Sequence, residues 1–255
     1  MQTEQLRELA RRLSEAGLRD HETARICGRS IETVRRWRDL DQRAAGLVRP
    51  LRKGHCPVCR ETGVPRPEYA YLLGPYLGDG HLVRQARDVY RLEIACCDDW
   101  PGLIDAAAAA VTAVMPASKV GRRQRTGCTC VGSYSRHWPC LFPQHGPGMK
   151  HTRKIELVPW QQEIVDEFTE EFVRGLIHSD GCRGINKVRR KVAGEYRRYE
   201  YPRYFFSNTS ADIRRLYTDA LDRLGIAWKQ SNARNISVAK REAVARLDEF
   251  VGPKY

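Results

Sequence analysis

The sequence has no long apolar run and no excess of acidic residues. No stretch approaches the roughly 20 apolar residues of a membrane-spanning helix, so the sequence predicts no membrane partner. The first residues, Met1–Glu4, lack an apolar signal region, so we expect a cytoplasmic protein. Basic residues outnumber acidic ones by 44 to 31, which gives a net charge of +13. This charge favours nucleic acid as the partner, and with it a nucleoid-associated location, over a merely soluble basic protein.

A second CxxC pair is also missing, although the chain has nine cysteines. The odd number and the expected reducing compartment favour free thiols or metal ligands over disulfides. Cys56 and Cys59 form half of a zinc knuckle, so a structural Zn²⁺ and a reduced thiol pair in a turn are both open. The candidates to complete a zinc site are His55, His81, or Cys128 together with Cys130.

Two short segments repeat one pattern, an apolar helix that ends in Asp-Gly. They are Leu72–Gly80 (LLGPYLGDG) and Val173–Gly181 (VRGLIHSDG). If the helices pack together, Asp79 and Asp180 emerge side by side, and paired carboxylates suit a hard cation such as Mg²⁺. Small residues that share a helix face allow two backbones to approach closely. Such residues stand four apart in each segment: Gly74 with Gly78, and Gly175 with Ser179.

The two motifs resemble those of the LAGLIDADG (DOD-type) homing endonuclease family, in its single-chain form with two motifs. The resemblance covers about residues 66–255. It implies that Asp79 and Asp180 bind the catalytic metal, Mg²⁺ or Mn²⁺. It also implies a lysine near the last strand of a half, where Lys240 stands in the second half and Pro159 aligns in the first. An ordinary Asp-Gly helix stop and a surface lysine are the alternatives at these positions.

The resemblance implies an α+β fold of two pseudo-symmetric αββαββα halves, 67–163 and 164–255. Each half would lay a curved antiparallel sheet on DNA. We predict helices at Pro101–Val114 and after a Ser210 cap, and a loop at 126–152 inserted between strands, which could hold a second metal. Strands are predicted at Leu82–Arg84, Tyr90–Cys96, Val120–Arg125, Lys154–Leu157, Arg183–Lys191, Tyr199–Phe206, Ile226–Lys229 and Asn235–Ala239.

Residues 1–42 resemble a small all-α helix-turn-helix unit, joined to the rest by a linker at 43–66 that contains the CxxC pair. Gly28 would form the turn, Ser30 would cap the second helix, and Val34 and Trp37 would face inward. An amphipathic hairpin with a solvated basic face is the alternative. The side chains predicted to contact DNA are Arg35, Arg36 and Arg38 in this unit, and Arg122, Arg125, Arg183, Asn186, Arg189, Lys191, Arg198 and Arg203 on the sheets.

The family resemblance implies a site-specific double-stranded DNA endonuclease that hydrolyses phosphodiester bonds as a monomer acting as a pseudo-dimer. A catalytically silent transcriptional regulator on the same fold is the alternative, and an RNA-directed role in splicing is a weaker one. The presence of both aspartates favours the nuclease. Gly102–Ala106 (GLIDA) also spells the middle of the family motif, but no Asp-Gly follows, so Asp105 is predicted to face solvent.

Overall fold

Three helices form the first of the two units into which the chain divides, residues 1–52 and 53–255. The structure is a computed structural model that describes residues 3–44, 56–192 and 194–254. The predicted residue His55 therefore lies outside the described residues. The three helices are α1 (Thr3–Glu15), α2 (Asp20–Cys27) and α3 (Ile31–Ala44).

The turn between α2 and α3 has the predicted chemistry. Gly28 adopts a left-handed conformation with φ of 59°, which ends α2 at little steric cost. The Ser30 hydroxyl accepts a hydrogen bond from the backbone N–H of Thr33 at 3.2 Å, as an N-cap does. Val34 and Trp37 are buried, as predicted, whereas Ile26 is exposed. The apolar spacing of the sequence therefore specifies this packing.

Two four-stranded antiparallel sheets with the same topology dominate the second unit. The first has the order β1-β2-β4-β3 and the second β5-β6-β8-β7. This repetition confirms the predicted α+β fold of two similar halves. The strands are β1 (Gly80–Arg84), β2 (Tyr90–Cys97), β3 (Val120–Arg125), β4 (Cys128–Ser135), β5 (Gly181–Val192), β6 (Glu195–Ser207), β7 (Lys229–Gln230) and β8 (Asn235–Val238).

Helices pack on the sheets and bury one continuous apolar core that includes both halves. Ser210 caps α10 as predicted, because its side chain accepts a hydrogen bond from the N–H of Ile213. None of the helices in the described part of the chain has the length and apolar character that a membrane crossing requires. The helices are α4 (Pro57–Arg60), α5 (Arg66–Leu77), α6 (Pro101–Val114), α7 (Trp138–Leu141), α8 (Pro159–Glu167), α9 (Thr169–Asp180), α10 (Ala211–Arg223) and α11 (Arg241–Phe250), with 3₁₀ turns at Ala86–Asp88 and Lys150–Thr152.

The predicted strand at Lys154–Leu157 is wrong, and the segment predicted as an inserted loop contains a strand instead. That strand is β4, which pairs with both β2 and β3 and so lies inside the first sheet. Ile155 is buried without pairing in a sheet, so its apolar character reports burial alone. The extra chain of the first half therefore follows the sheet, between β4 and α8. In the second half, the strand predicted at Ile226–Lys229 is shorter and later, at β7.

The strand registers also correct the alignment of Lys240 with Pro159. Each sheet begins at the glycine that follows a motif aspartate, and β4 occupies in the first sheet the place of β8 in the second. Leu92 pairs with Ser133, and Tyr204 pairs with Val238 in the same way. Ser133 and Val238 are therefore equivalent positions of the two halves. Two residues further along the chain, the residue of the first half that is equivalent to Lys240 is Ser135.

Candidate active site

The two motif helices, α5 and α9, pack against each other through their small residues. A Cβ atom on Gly74 would lie 2.4 Å from the backbone carbon of Gly175, and one on Gly175 would lie 2.2 Å from the carbonyl oxygen of Tyr71. These separations are far below van der Waals contact, so the backbones touch only because both residues lack a side chain. The close approach predicted from the spacing is present.

This packing brings the two motif aspartates together at the ends of the helices. Ser179 donates from its hydroxyl to Asp79 Oδ2 at 2.6 Å and accepts from the Asp79 backbone N–H at 2.9 Å. A Cβ on Gly78 would lie 2.9 Å from Asp180 Oδ2, so the second carboxylate reaches the end of α5. Asp79 is exposed and Asp180 is partly buried, which leaves the pair open to solvent on one side.

The ionised form of Asp180 is disfavoured in this position. Burial and the nearby charge of Asp79 raise its pKa to about 6, against the lowering effects of Asn208 and of two lysines. The Asn208 amide donates to Asp180 Oδ2 at 2.5 Å. A carboxylate with a raised pKa beside a second carboxylate is a place where additional positive charge would be favourable.

Two lysines that the sequence did not single out stand beside the aspartates. Lys150 Nζ donates to the carbonyl oxygens of Tyr76, Leu77 and Gly78 at 2.5, 2.8 and 2.8 Å, at the carboxyl end of α5. Lys254 Nζ donates to the carbonyl oxygen of Gly181 at 2.6 Å, just beyond α9. A cation at a helix carboxyl end interacts favourably with the helix dipole.

Burial lowers the pKa of both lysines, that of Lys150 to about 8, although the two motif aspartates act in the opposite direction. No local motif marks these lysines, because one lies in the extra chain after β4 and the other near the last residue. The predicted Lys240 is exposed at the N-cap of α11. Its catalytic role remains a prediction.

We expect Asp180→Asn to stabilise the protein in the absence of divalent metal. Because the folded-state pKa is raised, wild-type stability falls as pH rises from about 4 through 6, and the asparagine removes this loss. The expected gain is about 1–2 kcal/mol at pH 7.5, after allowance for partial exposure. Thermal unfolding in EDTA should show a higher Tm for the variant at pH 7.5 and a negligible difference at pH 4.

Asp248→Asn is the control of opposite sign. Hydrogen bonds from Arg183 and Tyr204 hold the pKa of Asp248 below its usual value despite partial burial, so its neutralisation should destabilise the protein at pH 7.5. A destabilised Asp180→Asn at pH 7.5 would contradict the raised pKa at the motif pair.

A cavity of about 220 Å³ opens beside Asp79. Ser179, Lys254 and Trp100 line it together with the exposed Cys97 of β2. Tyr71 and His178 line the same cavity, where the Tyr71 hydroxyl donates to His178 Nδ1 at 3.1 Å and His178 Nε2 donates to the carbonyl oxygen of Val251 at 2.9 Å. Burial lowers the pKa of His178 to about 4, so this histidine is a neutral bridge between packed elements.

The long β5–β6 hairpin divides its predicted DNA-binding residues between two faces. Paired residues share a face and alternate along each strand. We call the side that carries the buried Tyr204 and Phe206 at its base the inner face, and the opposite side the outer face. The inner face carries Arg183, Arg189, Lys191 and Arg198, whereas the outer face carries Asn186 and Arg203 together with four side chains not predicted, Arg190, Arg197, Tyr199 and Tyr201.

Several of these side chains already have partners in the protein. Arg183 forms a two-point ion pair with Asp248 at 2.7 and 2.8 Å. Arg189 lies over the ring of Tyr196, 4.1 Å from its centroid. The Asn186 amide donates to the Tyr201 hydroxyl at 2.7 Å, which organises part of the outer face.

The first sheet divides its two predicted arginines in the same way. Arg122 pairs with the buried Val131 position and forms an ion pair with Asp105 of α6 at 2.6 Å, so it lies on the inner side. Asp105 is exposed, as predicted. Arg125 lies on the outer side, where it contacts the buried Glu93. Arg123 and Arg91 reach the same carboxylate at 2.9 and 2.7 Å, and neither was predicted.

In the helical unit, two of the three arginines predicted to contact DNA form ion pairs within the unit. Arg35 and Arg38 of α3 both pair with Asp20 at the start of α2, at distances of 3.1 and 2.5 Å. Arg36 is exposed. The buried Trp37 follows it, so the exposed basic face of α3 is narrower than the sequence indicated.

The cysteine pair of the predicted zinc knuckle lies near other residues that could bind a metal, but these are not the residues that the sequence suggested as partners. Cys56 and Cys59 cluster with His137 and Cys140. The candidates His81, Cys128 and Cys130 belong to β1 and β4 and are not part of this group. His137 and Cys140 follow Cys59 by 78 and 81 residues, so no local spacing in the sequence could have selected them.

LAGLIDADG homing endonucleases, the family that the two motifs resemble, are among the solved structures to which this chain is similar. One is I-DmoI in complex with DNA and Mn, at 13% identity and a TM-score of 0.48, covering 74% of this chain and 99% of that one. Another is the LAGLIDADG meganuclease I-AabMI bound to uncleaved DNA, at 10% identity and a TM-score of 0.46, covering 71% and 82%. A third is the meganuclease I-SmaMI, at 8% identity and a TM-score of 0.43. No protein-family model and no curated protein sequence matches the chain.

Proposed function

We propose that this chain is a divalent-metal-dependent, site-specific endonuclease of double-stranded DNA, of the LAGLIDADG type. The observation that carries the proposal is the meeting of Asp79 and Asp180 at the ends of two glycine-packed helices. Each aspartate leads directly into a basic antiparallel sheet of the same topology. One chain would thus present two related DNA-binding surfaces around one acidic centre, as a pseudo-dimer.

The donor set fits Mg²⁺ or Mn²⁺. Asp79 and Asp180 would hold the metal, since both offer the hard oxygen donors that these ions prefer. The raised pKa of Asp180 is consistent with this, because a cation would offset the repulsion from Asp79. A bound ion would supply an activated water near neutral pH and charge stabilisation for the leaving oxygen. Lys150 and Lys254 would fix the backbone of both helix ends and limit the negative charge at the centre.

The outer faces of the two sheets would contact DNA. Alternate side chains of a strand point to one face, so the outer sets can enter a groove. On the inner faces, Arg183 and Arg122 form ion pairs with aspartates of the packed helices. The predicted residues on these outer faces are Arg125, Asn186 and Arg203, and Arg123, Arg190 and Arg197 extend them. The exposed Arg36 of α3 would add a phosphate contact.

The test is cleavage of a randomised double-stranded DNA library by the purified full chain with Mg²⁺, with Ca²⁺ as the binding control. Wild type should enrich double-strand breaks at one long sequence, and both Asp79→Asn and Asp180→Asn should lose cleavage while still binding that sequence. Asp105→Asn is the matched control, because this exposed aspartate stands in a motif-like GLIDA segment outside the helix pair. It should cleave like wild type.

Specific binding without cleavage by wild type would contradict the proposal and favour a regulator on a nuclease fold. Calorimetric titration with Mn²⁺ gives a second readout, independent of cleavage. Each aspartate variant should bind Mn²⁺ more weakly than wild type, whereas Asp105→Asn should not. Equal Mn²⁺ binding by all four proteins would contradict the assigned metal ligands.

A further inference from the structure

Four metal-ligating side chains meet away from the two motif aspartates. The Sγ atoms of Cys56, Cys59 and Cys140 and a ring nitrogen of His137 all lie within 4.8 Å of one another. Cys56 is fully buried and His137 is nearly so. Nothing in the proposed cleavage of DNA requires this cluster, and it does not share a residue with the motif pair.

The three edges of the cluster among Cys59, His137 and Cys140 match those of a tetrahedral zinc site. Cys59 Sγ lies 3.5 Å from His137 Nδ1 and 3.6 Å from Cys140 Sγ, and Cys140 Sγ lies 3.8 Å from His137 Nδ1. With Zn–S near 2.3 Å and Zn–N near 2.0–2.1 Å, a tetrahedron has S–S edges of about 3.8 Å and S–N edges of about 3.5 Å. The observed separations depart from these values by only a few tenths of an ångström.

A disulfide does not explain the same atoms. An S–S bond is about 2.05 Å long, and Cys59 and Cys140 are separated by 3.6 Å with all cysteines of the described residues reduced. A disulfide between any two of the three would also leave one thiol and one imidazole without a role. Three thiols and one imidazole form a recognised ligand set for structural zinc.

The ligands are carried on two similar local structures. Cys56 is the N-cap residue of the short helix α4, with Cys59 inside that helix, and His137 and Cys140 have the same relation to α7. The second arm is held firmly, because Trp138 is buried and its indole N–H donates to the carbonyl oxygen of Ser133 at 3.1 Å. Leu141 accepts a hydrogen bond from Tyr69 of α5. The segment that carries His137 and Cys140 is thus held by contacts with the core that do not involve a metal.

We propose that Cys56, Cys59, His137 and Cys140 bind one structural Zn²⁺ ion. Four protein ligands leave no open coordination position, so the site stabilises the fold rather than performing chemistry. The ion would join the chain before α5 to the segment after β4, across a sequence separation of 81 residues between Cys59 and Cys140. That segment continues to Lys150, which holds the carboxyl end of α5. Zinc would therefore support one of the two motif helices from outside the acidic centre.

The test uses the full chain, expressed with zinc and purified in reducing buffer. Metal analysis should give one zinc per chain for wild type and a strong loss for Cys59→Ser. Cys97→Ser is the matched control, because Cys97 is an exposed β2 residue outside the cluster, and it should keep one zinc. His137→Cys should also keep the ion, since it converts the site to four thiolates, whereas His137→Ala should lose it.

Two measurements do not depend on the variants folding. Cobalt taken up by wild type should show the thiolate charge-transfer and tetrahedral ligand-field bands of a sulfur-rich site. A strong chelator should lower the Tm of wild type by about 10 °C or more and expose residues 143–152 to protease. A wild-type protein that carries no zinc and shows no thiolate–cobalt band would overturn the proposal, as would equal metal loss in Cys59→Ser and Cys97→Ser.

Discussion

Gly175→Val is expected to prevent stable folding of residues 53–255 or to lower their stability by about 4 kcal/mol or more. The new Cβ would lie 2.2 Å from the carbonyl oxygen of Tyr71 and 3.0 Å from Pro75 Cδ. Both neighbours belong to α5, and a carbonyl oxygen in a buried helix cannot rotate away. The helices would have to separate, which would open the apolar core and pull Asp79 away from Asp180.

Thermal unfolding followed by circular dichroism is the measurement, with an expected fall in Tm of at least about 10 °C if the variant is soluble. Gly121→Val is the matched control, because the same change is made on an exposed strand with nothing within 4 Å of the new Cβ. Valine favours strands, so this control should be as stable as wild type. Similar Tm values for both variants would show that the helices do not pack through Gly175.

The helix pair was predictable because one local pattern carries all the necessary information. Small residues at Gly74 and Gly175 imply close approach, and close approach implies that the residues just after them meet. The same holds for the turn at Gly28 and the cap at Ser210, where one residue type performs one backbone task. Patterns of this kind are short and do not depend on distant chain.

Strand β4 was missed because its residues suggested a loop. Its sequence, Cys128–Ser135 (CTCVGSYS), has few large apolar side chains, yet this strand lies between β2 and β3 in the sheet. A Cβ atom on Gly132 of this strand would lie only 3.2 Å from the Leu92 carbonyl oxygen, so a residue without a side chain suits the close strand packing. Ile155 gave the opposite error, because it lies buried in a loop and its own backbone N–H donates to Asp212 Oδ2 instead of to a neighbouring strand.

The division of basic residues between sheet faces could not be read from composition. A strand alternates its faces at every residue, so a shift of one position exchanges the inner and outer sets. The sequence does not state where the pairing of β5 with β6 begins, and this register decides which of Arg189 and Arg190 lies on the outer face. Arg122 and Arg125 differ for the same reason.

The roles of Lys150 and of the proposed zinc ligands could not be predicted from the sequence for a different reason. Their roles arise from contacts across long sequence separations, such as the 72 residues between Lys150 and Gly78. A lysine in a segment rich in glycine and proline has no local signature of burial. Only the position of that segment after β4 explains why its amine reaches the end of α5.

Lys150→Met should therefore destabilise the protein by about 2–3 kcal/mol, although methionine matches the length of the lysine stem. The change leaves three carbonyl oxygens at the end of α5 without their shared donor. The variant no longer buries a charged amine, which offsets part of this cost, because burial of that charge is unfavourable, as the Lys150 pKa of about 8 indicates. Tm should fall by about 5–10 °C at pH 7.5. Lys154→Met is the matched control, because Lys154 is exposed and pairs only with Glu156 among its described ion pairs, so its Tm should change little.

The pH dependence distinguishes this role from simple packing. The folded-state pKa of Lys150 lies below that of the unfolded chain, so the folded protein binds fewer protons between about pH 8 and 10.5. Wild-type stability therefore rises with pH in this window relative to Lys150→Met, and the Tm difference should be larger at pH 10 than at pH 7.5.

Loss of Lys150 also removes a charge that lowers the pKa of Asp180. The pH midpoint for Mn²⁺ binding should consequently move upward in Lys150→Met and stay unchanged in Lys154→Met. A variant that lost stability equally at every pH and kept the wild-type midpoint would show that Lys150 acts only by filling space.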